Sequence, residues 1–102
     1  MGEHYSLTTW IVKPGQEAEF VRRWGEFADW SAAQGLSASA RLLRDVDGPG
    51  RFVSFGPWES LTAIRRWRAL PGFQERVQRL EEVLDRFEPA TFELIAEHGE
   101  RT

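Results

Sequence analysis

The residues of this chain that are best equipped for chemistry are aromatic. Five Trp and seven Phe stand among 102 residues, together with two His, one Tyr, no Cys and no Asn. In the stretch 51–67, RFVSFGPWESLTAIRRW, an apolar strand ends at Trp58 and a helix then places Trp67 on its apolar side. Trp67 would therefore face the sheet and could stack on a planar ligand in an apolar pocket. The alternative is a core tryptophan at ordinary helical spacing.

A second group of candidates is polar and could hold an anion or move a proton. Arg41 is a charge in mid-strand that could steady an anionic substrate, although such an arginine often reaches an acid at a sheet edge or an interface. His4 is the candidate general base, unless it is simply solvated. The hydroxyls of Ser6 and Thr8 could contact a substrate carbonyl, or they could be satisfied within a half-buried strand.

Four aromatic side chains complete the predicted substrate-binding set: Trp10, Trp24, Phe55 and Phe73. Trp24 also lies on the apolar side of the first predicted helix, so it could instead be a core residue. Trp58 ends a strand and could simply pack beside the hairpin. No metal-binding, phosphate-binding or nucleophile motif is present, and the two His stand far apart. No metal and no cofactor are predicted.

Length and composition limit the class of protein. We expect a single domain over 1–102, with a core over about 4–97 and a polar tail over 98–102. The net charge of −3 argues against nucleic acid or an anionic membrane as the partner, because either would require a basic face. No apolar run approaches the length of a membrane span and the first residues do not form a signal peptide. These features fit a cytoplasmic protein.

Periodicity along the chain predicts the order β-α-β-β-α-β, with the second helical region broken by Pro71-Gly72. Strands are predicted over 4–13, 36–46, 51–58 and 90–97, and helices over 16–34, 60–70 and 73–87. This order is that of the ferredoxin-like plait, an α+β fold in which a four-stranded antiparallel sheet carries its helices on one face.

The predicted strands are apolar on both faces, which bears on assembly. In the first strand Leu7 and Ile11 oppose Trp10 and Val12. Because helices cover only one face, the other would leave several hundred Å² of apolar surface in water. We therefore predict a homodimer joined through the sheet, the alternative being a monomer with an amphipathic sheet.

Five segments together resemble one known family: Lys13-Pro-Gly, RLLRD at 41–45, RFVSFGPWES at 51–60, Trp67, and Pro71 with Phe73. They are similar to the antibiotic biosynthesis monooxygenase domain of the dimeric α/β-barrel superfamily. The resemblance covers about residues 4–97. It implies a pocket between sheet and helices in each subunit, and oxygenation of an anthrone or a quinol without metal or flavin.

The resemblance also defines two departures. The anthrone oxygenases carry a Trp at the position of Trp67 and an Asn four residues earlier, where this chain has Ala63. The haem-degrading relatives place an axial His ten residues after that Trp, where this chain has Val77, which cannot bind iron. We therefore expect a cofactor-independent monooxygenase of a planar aromatic compound. The alternatives are a non-enzymatic dimer that binds a small aromatic ligand, and a cyclase or isomerase on the same scaffold.

Overall fold

The computed structural model describes residues 3–35 and 39–99. Within these ranges the elements are β1 (His4–Val12), α1 (Glu17–Ala33), β2 (Arg41–Arg44), β3 (Arg51–Trp58), α2 (Leu61–Arg68), α3 (Phe73–Glu81) and β4 (Leu84–Glu93). The strands form one antiparallel sheet in the order β2-β3-β1-β4. The predicted ferredoxin-like α+β fold is confirmed.

The central strand β1 divides its side chains between the two faces of the sheet. Trp10 and Val12 are buried under the helices, whereas Leu7 and Ile11 belong to the opposite, open face. The register continues this alternation across the sheet, because Trp10 lies opposite Phe52 of β3. The helix-covered face therefore supplies the core.

The first helix forms where its apolar period predicts it. Phe20, Phe27 and Ser31 are buried on one side of α1, and acidic Glu19 lies in the first turn, where the helix dipole favours a carboxylate. Gly35 ends the helical segment with a φ of 76°, a left-handed conformation that glycine adopts without strain. The boundaries of α1 agree with the prediction to one residue at each end.

The end of the chain differs from the prediction. The predicted helix over 73–87 ends at Glu81, and residues from Leu84 onward form β4 instead of a strand over 90–97. Leu84 to Glu93 pair with the whole length of β1, and Phe87 stacks on Trp10 with ring centroids 5.6 Å apart. Sheet hydrogen bonds and this ring contact outweigh the local helical period.

Pro89 lies within β4 and does not mark the end of a helix, as the sequence suggested. The strand is at an edge of the sheet, where one side of the backbone needs no partner, so a proline is tolerated. In the second strand the predicted range 36–46 is reduced to Arg41–Arg44, and its start at 36–38 lies outside the described residues.

The core is a cluster of aromatic and aliphatic side chains between the sheet and the helices. Phe20 is fully buried, and its ring centroid lies 5.4 Å from that of Trp10 and 5.1 Å from that of Phe52. Leu80 of α3 and Leu84 of β4 complete the cluster. The open face carries side chains that are half exposed, including Leu43 at 52% and Phe92 at 50%. None of the described helices is long and apolar enough to cross a membrane.

Candidate active site

A cavity of about 800 Å³ lies between the helix-covered face of the sheet and the helices. Its size is typical of a pocket for a small organic ligand. Most of its lining side chains are aromatic or small; among its charged lining residues Asp29 and Glu81 are exposed and Arg68 is half-buried. The lining residues include Ser6, Thr8 and Trp10 of β1, Trp24, Phe27 and Ser31 of α1, Ser54, Gly56 and Trp58 of β3, Trp67 and Arg68 of α2, Phe73 and Val77 of α3, and Phe87 of β4.

Trp67 is held at the centre of an aromatic wall. Its ring centroid is 4.9 Å from that of Trp58, 5.0 Å from that of Phe73 and 5.8 Å from that of Phe27. The start of α2 fixes this position, because the Ser60 hydroxyl caps the helix by accepting a hydrogen bond from the backbone N–H of Ala63 in the first turn. The turn that follows carries Trp67 toward the sheet.

Each of three tryptophans in the wall donates its indole N–H to a serine. Trp67 Nε1 donates to Ser31 Oγ at 2.8 Å, joining α2 to α1. The other two bonds, from Trp10 to Ser54 and from Trp58 to Ser6, are both 2.9 Å long and join neighbouring strands. Since the indole N–H is a donor only, these bonds fix the orientation of each ring. The planes that a ligand would meet are therefore preorganised.

The same bonds leave three hydroxyl protons at the cavity. Ser6, Ser31 and Ser54 use an oxygen lone pair to accept the indole N–H, and in the described part of the chain no protein acceptor takes their own O–H. A serine hydroxyl is both donor and acceptor. The cavity therefore offers O–H donors on two of its walls, one on α1 and two on the sheet.

Ionisable groups are scarce inside the cavity. The carboxylates of Asp29 and Glu81 line it from exposed positions at the rim. Arg68 is half-buried and its Nη1 donates to Thr91 Oγ1 at 3.1 Å, while burial lowers the pKa of Arg68 below its ordinary value. Among residues 3–35 and 39–99, no group of three or more His, Cys, Asp or Glu could hold a metal ion.

Comparison with known protein families identifies the family of the chain that forms this cavity. The model of the antibiotic biosynthesis monooxygenase family matches residues 4–79. The chain belongs to this family. The match covers β1 to α3 and so includes the strand-turn-helix segment that carries Trp58 and Trp67. No curated protein sequence matches the chain.

Solved structures extend the likeness over nearly the whole chain. SnoaB of Streptomyces nogalater, described as a cofactor-independent oxygenase, is 26% identical, with a TM-score of 0.82 over 97% of both chains. An Asn-to-Ala mutant of SnoaB is also 26% identical, with a TM-score of 0.81 over 95% of both chains. A conserved protein from Methanosarcina mazei Go1 is 16% identical, with a TM-score of 0.79 over 90% of this chain and 92% of its own, which shows the fold alone.

Within this antibiotic biosynthesis monooxygenase fold, most of the predicted site residues meet at one cavity. Lining residues predicted from the sequence are Ser6, Thr8, Trp10, Trp24, Phe55, Phe73 and Trp67. Phe55 is a special case, because it pairs with Leu7 and strand alternation assigns its side chain to the open face. Trp24 and Trp58, for which core and packing roles competed, both border the cavity.

The predicted anion-binding and base residues are elsewhere. Arg41 pairs with Phe55, is exposed and belongs to the open face, so it does not line the cavity. His4 lies at the start of β1 opposite Trp58 and is not among the lining residues, although its Nδ1 is buried without a hydrogen-bond partner among the described residues. Tyr5, the one phenol, donates to Glu3, which raises the pKa of Tyr5.

Several lining residues were not singled out by sequence reasoning, and three of them form side-chain hydrogen bonds at the cavity. Ser31 continues the apolar stripe of α1, so its small polar side chain at a buried position was a signal that something nearby must donate to it. Ser54 lies on the same buried face of β3 as Phe52, so it is likewise a small polar side chain at a buried position that needs a hydrogen-bond partner. Arg68 is one of three arginines at the end of α2, and only the packing against β4 distinguishes it from the others.

The family's asparagine has no substitute at its own position. Ala63 carries a methyl group, and its backbone N–H is already used by the Ser60 hydroxyl at 3.1 Å. Ala63 is not among the lining residues of the cavity, so polar contacts to a ligand come from other residues. The lining includes the carboxamides of Gln74 and Gln78, which are exposed, and the hydroxyls of the three serines bound to the tryptophans.

Proposed function

We propose that this protein is a cofactor-independent monooxygenase of a planar, electron-rich aromatic compound of the anthrone or quinol type. The observation that carries the proposal is the cavity of about 800 Å³, walled by fixed aromatic rings and provided with hydroxyl donors, in a chain of this family. The likeness to SnoaB, a cofactor-independent oxygenase, supports the same reaction class.

The proposed reaction converts a ring CH₂ group to a carbonyl with O₂ as the oxidant. The substrate first loses one proton, and the resulting anion passes an electron to O₂. The carbon radical and superoxide then join as a peroxide, which takes up a proton and loses water. Two C–H bonds are broken, one oxygen atom becomes the carbonyl oxygen, and the other leaves as water with the two hydrogens.

The protein would accelerate these steps by orientation and by stabilising the anion. Trp67 would stack on the substrate ring, held in one orientation by its bond to Ser31. The hydroxyls of Ser6, Ser31 and Ser54 would donate to the substrate oxygen on which negative charge develops. The apolar walls would exclude water from the radical pair.

The substrate's own acidity carries the first step in this scheme. No ionisable side chain of the described residues lies in the cavity interior as a general base, and Asp29 and Glu81 are at the rim. A hydroxyl donor lowers the substrate's pKa by stabilising its anion, so the proton can pass to water or to a rim carboxylate.

Oxygen uptake tests this proposal. Protein treated with a chelator is mixed with anthrone and 1,8-dihydroxyanthrone in an oxygen electrode, beside Trp67→Phe and the matched control Trp30→Phe. Trp30 is a tryptophan of α1 that does not line the cavity. We expect protein-dependent uptake that falls at least tenfold in Trp67→Phe and is retained in Trp30→Phe. Equal uptake with and without protein would refute the proposal.

A non-enzymatic ligand-binding protein is the second candidate, and one observation favours it. Ala63 offers no polar group where the oxygenases that the chain resembles have an amide. In this case the aromatic compounds would quench tryptophan fluorescence at saturable concentrations without oxygen uptake. An Ala63→Asn variant that gains uptake would show that the scaffold is competent and the wild-type chain is the binder.

We also propose that two copies associate through the open face of the sheet. Leu43 and Phe92, at 52% and 50% exposure, lie on this face with Leu7 and Phe55. Burying such side chains against a second copy removes apolar surface from water. Light scattering should give twice the mass of 11.8 kDa, and Leu43→Glu should shift the mass toward that of a single chain. A wild-type protein with the mass of one chain at high concentration would refute the dimer.

A further inference from the structure

Arg68, the last residue of α2, is a half-buried cation at the cavity wall without an acidic partner. Its contact is with the neutral hydroxyl of Thr91 at 3.1 Å, and no Asp or Glu among the described residues forms an ion pair with it. The guanidinium is a permanent cation, because arginine side chains are not deprotonated in proteins.

The lack of a counter-charge distinguishes Arg68 from Arg23, the other half-buried arginine of the described residues, whereas exposed arginines such as Arg66 also have no ion pair there. Other arginines do find acids: Arg23 contacts Glu19 and Glu82, and Arg51 contacts Asp45. A charge that is partly removed from water without a partner costs free energy unless something else compensates it. At a cavity wall, a bound ligand is the group that can do so.

The surroundings of Arg68 fit an anion with two oxygens. Within the described ranges, the guanidinium donates one side-chain hydrogen bond, to Thr91, out of its five N–H donors. Thr91 is the cross-strand neighbour of Ser6, whose hydroxyl proton is available at the cavity wall. A carboxylate at this end could accept a forked pair of bonds from Arg68 and a further bond from Ser6.

We propose that Arg68 is a specificity-determining residue that selects aromatic ligands bearing a carboxylate. The inference rests on the proposed function in taking the cavity as the site of a planar aromatic compound, and it adds the chemical class of substituent that the compound carries. In this arrangement the ring system lies against Trp67, the neighbour of Arg68 in α2, and the carboxylate lies at the β4 end of the cavity.

Binding of two redox-inert probes tests the inference independently of oxygenase activity. Anthraquinone-2-carboxylate and its methyl ester differ in charge at one position, and their affinities can be measured by calorimetry on the full chain at pH 7. We expect the carboxylate to bind about 10- to 100-fold more tightly than the ester, as a charge-assisted hydrogen bond predicts. In Arg68→Gln this preference should disappear while the affinity for the ester stays within threefold.

Three further variants separate the interpretations. Arg66→Gln is the matched control, since this arginine lies in the same helix but is exposed and does not line the cavity, and it should keep the preference. Arg68→Lys should keep part of it, because charge remains but the fork is lost. Thr91→Val, which frees the guanidinium without removing it, should change the preference less than Arg68→Gln and covers the case in which Arg68→Gln fails to fold.

The outcomes distinguish this inference from the proposed function. If both probes bind equally in the wild-type protein, or if Arg66→Gln loses the preference as fully as Arg68→Gln, the inference is overturned while the cavity remains a ligand site. If neither probe binds, the inference and the aromatic-ligand site are both overturned. An Arg68-dependent preference without oxygen uptake on any anthrone upholds the inference and refutes the oxygenase.

Discussion

Replacing Ser31 by Ala should uncouple α2 from α1 at the cavity. The substitution removes the acceptor of the Trp67 indole N–H, a bond of 2.8 Å to a serine that is 7% exposed. A hydrogen bond of this kind contributes about 0.5–1.5 kcal/mol net. The lower half of that range applies, because Trp67 is half-buried and water in the cavity can replace the serine.

A second effect of the substitution has the opposite sign. Alanine is the better helix former, by up to about 0.5 kcal/mol, and Ser31 lies within α1. The free energy of unfolding of the single variant could therefore fall by only a few tenths of a kcal/mol, even though the hydrogen bond itself contributes more. A double-mutant cycle with Trp67→Phe removes this ambiguity, since the propensity change occurs in both backgrounds and cancels.

The assay is urea unfolding of the wild-type protein, both single variants and the double variant at one fixed protein concentration, since any association changes apparent stability. We expect a coupling free energy of about 0.5–1 kcal/mol, with an upper limit of about 1 kcal/mol. For a chain of this size that corresponds to roughly 4–8 °C in melting temperature. A coupling below about 0.3 kcal/mol, the usual error of additivity, would refute the reasoning that this bond fixes the indole ring.

Three further predictions concern the scaffold. Gly56→Ala should lower the free energy of unfolding by about 1–3 kcal/mol in a denaturant titration, because a Cβ there would lie 2.5 Å from the backbone oxygen of Ser39. Gly25→Ala is the control: a Cβ at this mid-helix position meets nothing within 4 Å, so the substitution should stabilise the protein by about 0.5–1 kcal/mol. Leu80→Ala should cost about 2–5 kcal/mol in the same titration, since this core side chain is 1% exposed. Hydrogen bonds from two arginines lower the pKa of Glu19 from 4.5 to about 2, so its contribution to stability is complete above pH 4.5 and is lost as the pH falls toward 2. The stability difference between wild type and Glu19→Gln should therefore shrink over that interval, and a difference independent of pH would contradict the ion-pair assignment.

The sequence was sufficient for those elements whose local pattern and tertiary role agree. The spacing of Phe20 and Phe27 predicts α1 because the same side chains that give the helical period fill the core. Ser60 predicts the start of α2 because the capping bond is local. Such features depend on neighbours within a few residues, which the sequence displays directly.

The sequence was misleading where a distant strand decides the conformation. Val77, Leu80 and Leu84 share a helical spacing, yet Leu84 belongs to a strand because the segment that it begins pairs with the side of β1 that β3 does not occupy. The site shows the same limit. Periodicity alone places Trp67 on the sheet-facing side of its helix. That Arg68 lines the cavity and Arg41 does not depends on the strands that they contact, which the sequence does not display.

The position of Pro89 in the edge strand has a consequence for how this sheet can grow. A proline has no N–H to donate, and Arg86 and Glu88 beside it put charges on the same short stretch. Prolines and charges on an exposed edge are features that oppose the addition of a further strand. Copies of this chain that meet at β4 are thereby hindered from forming a continuous intermolecular sheet. An apolar sheet face that takes part in the proposed dimer is thus combined with a β4 edge that resists the edge-to-edge pairing that leads to fibrils.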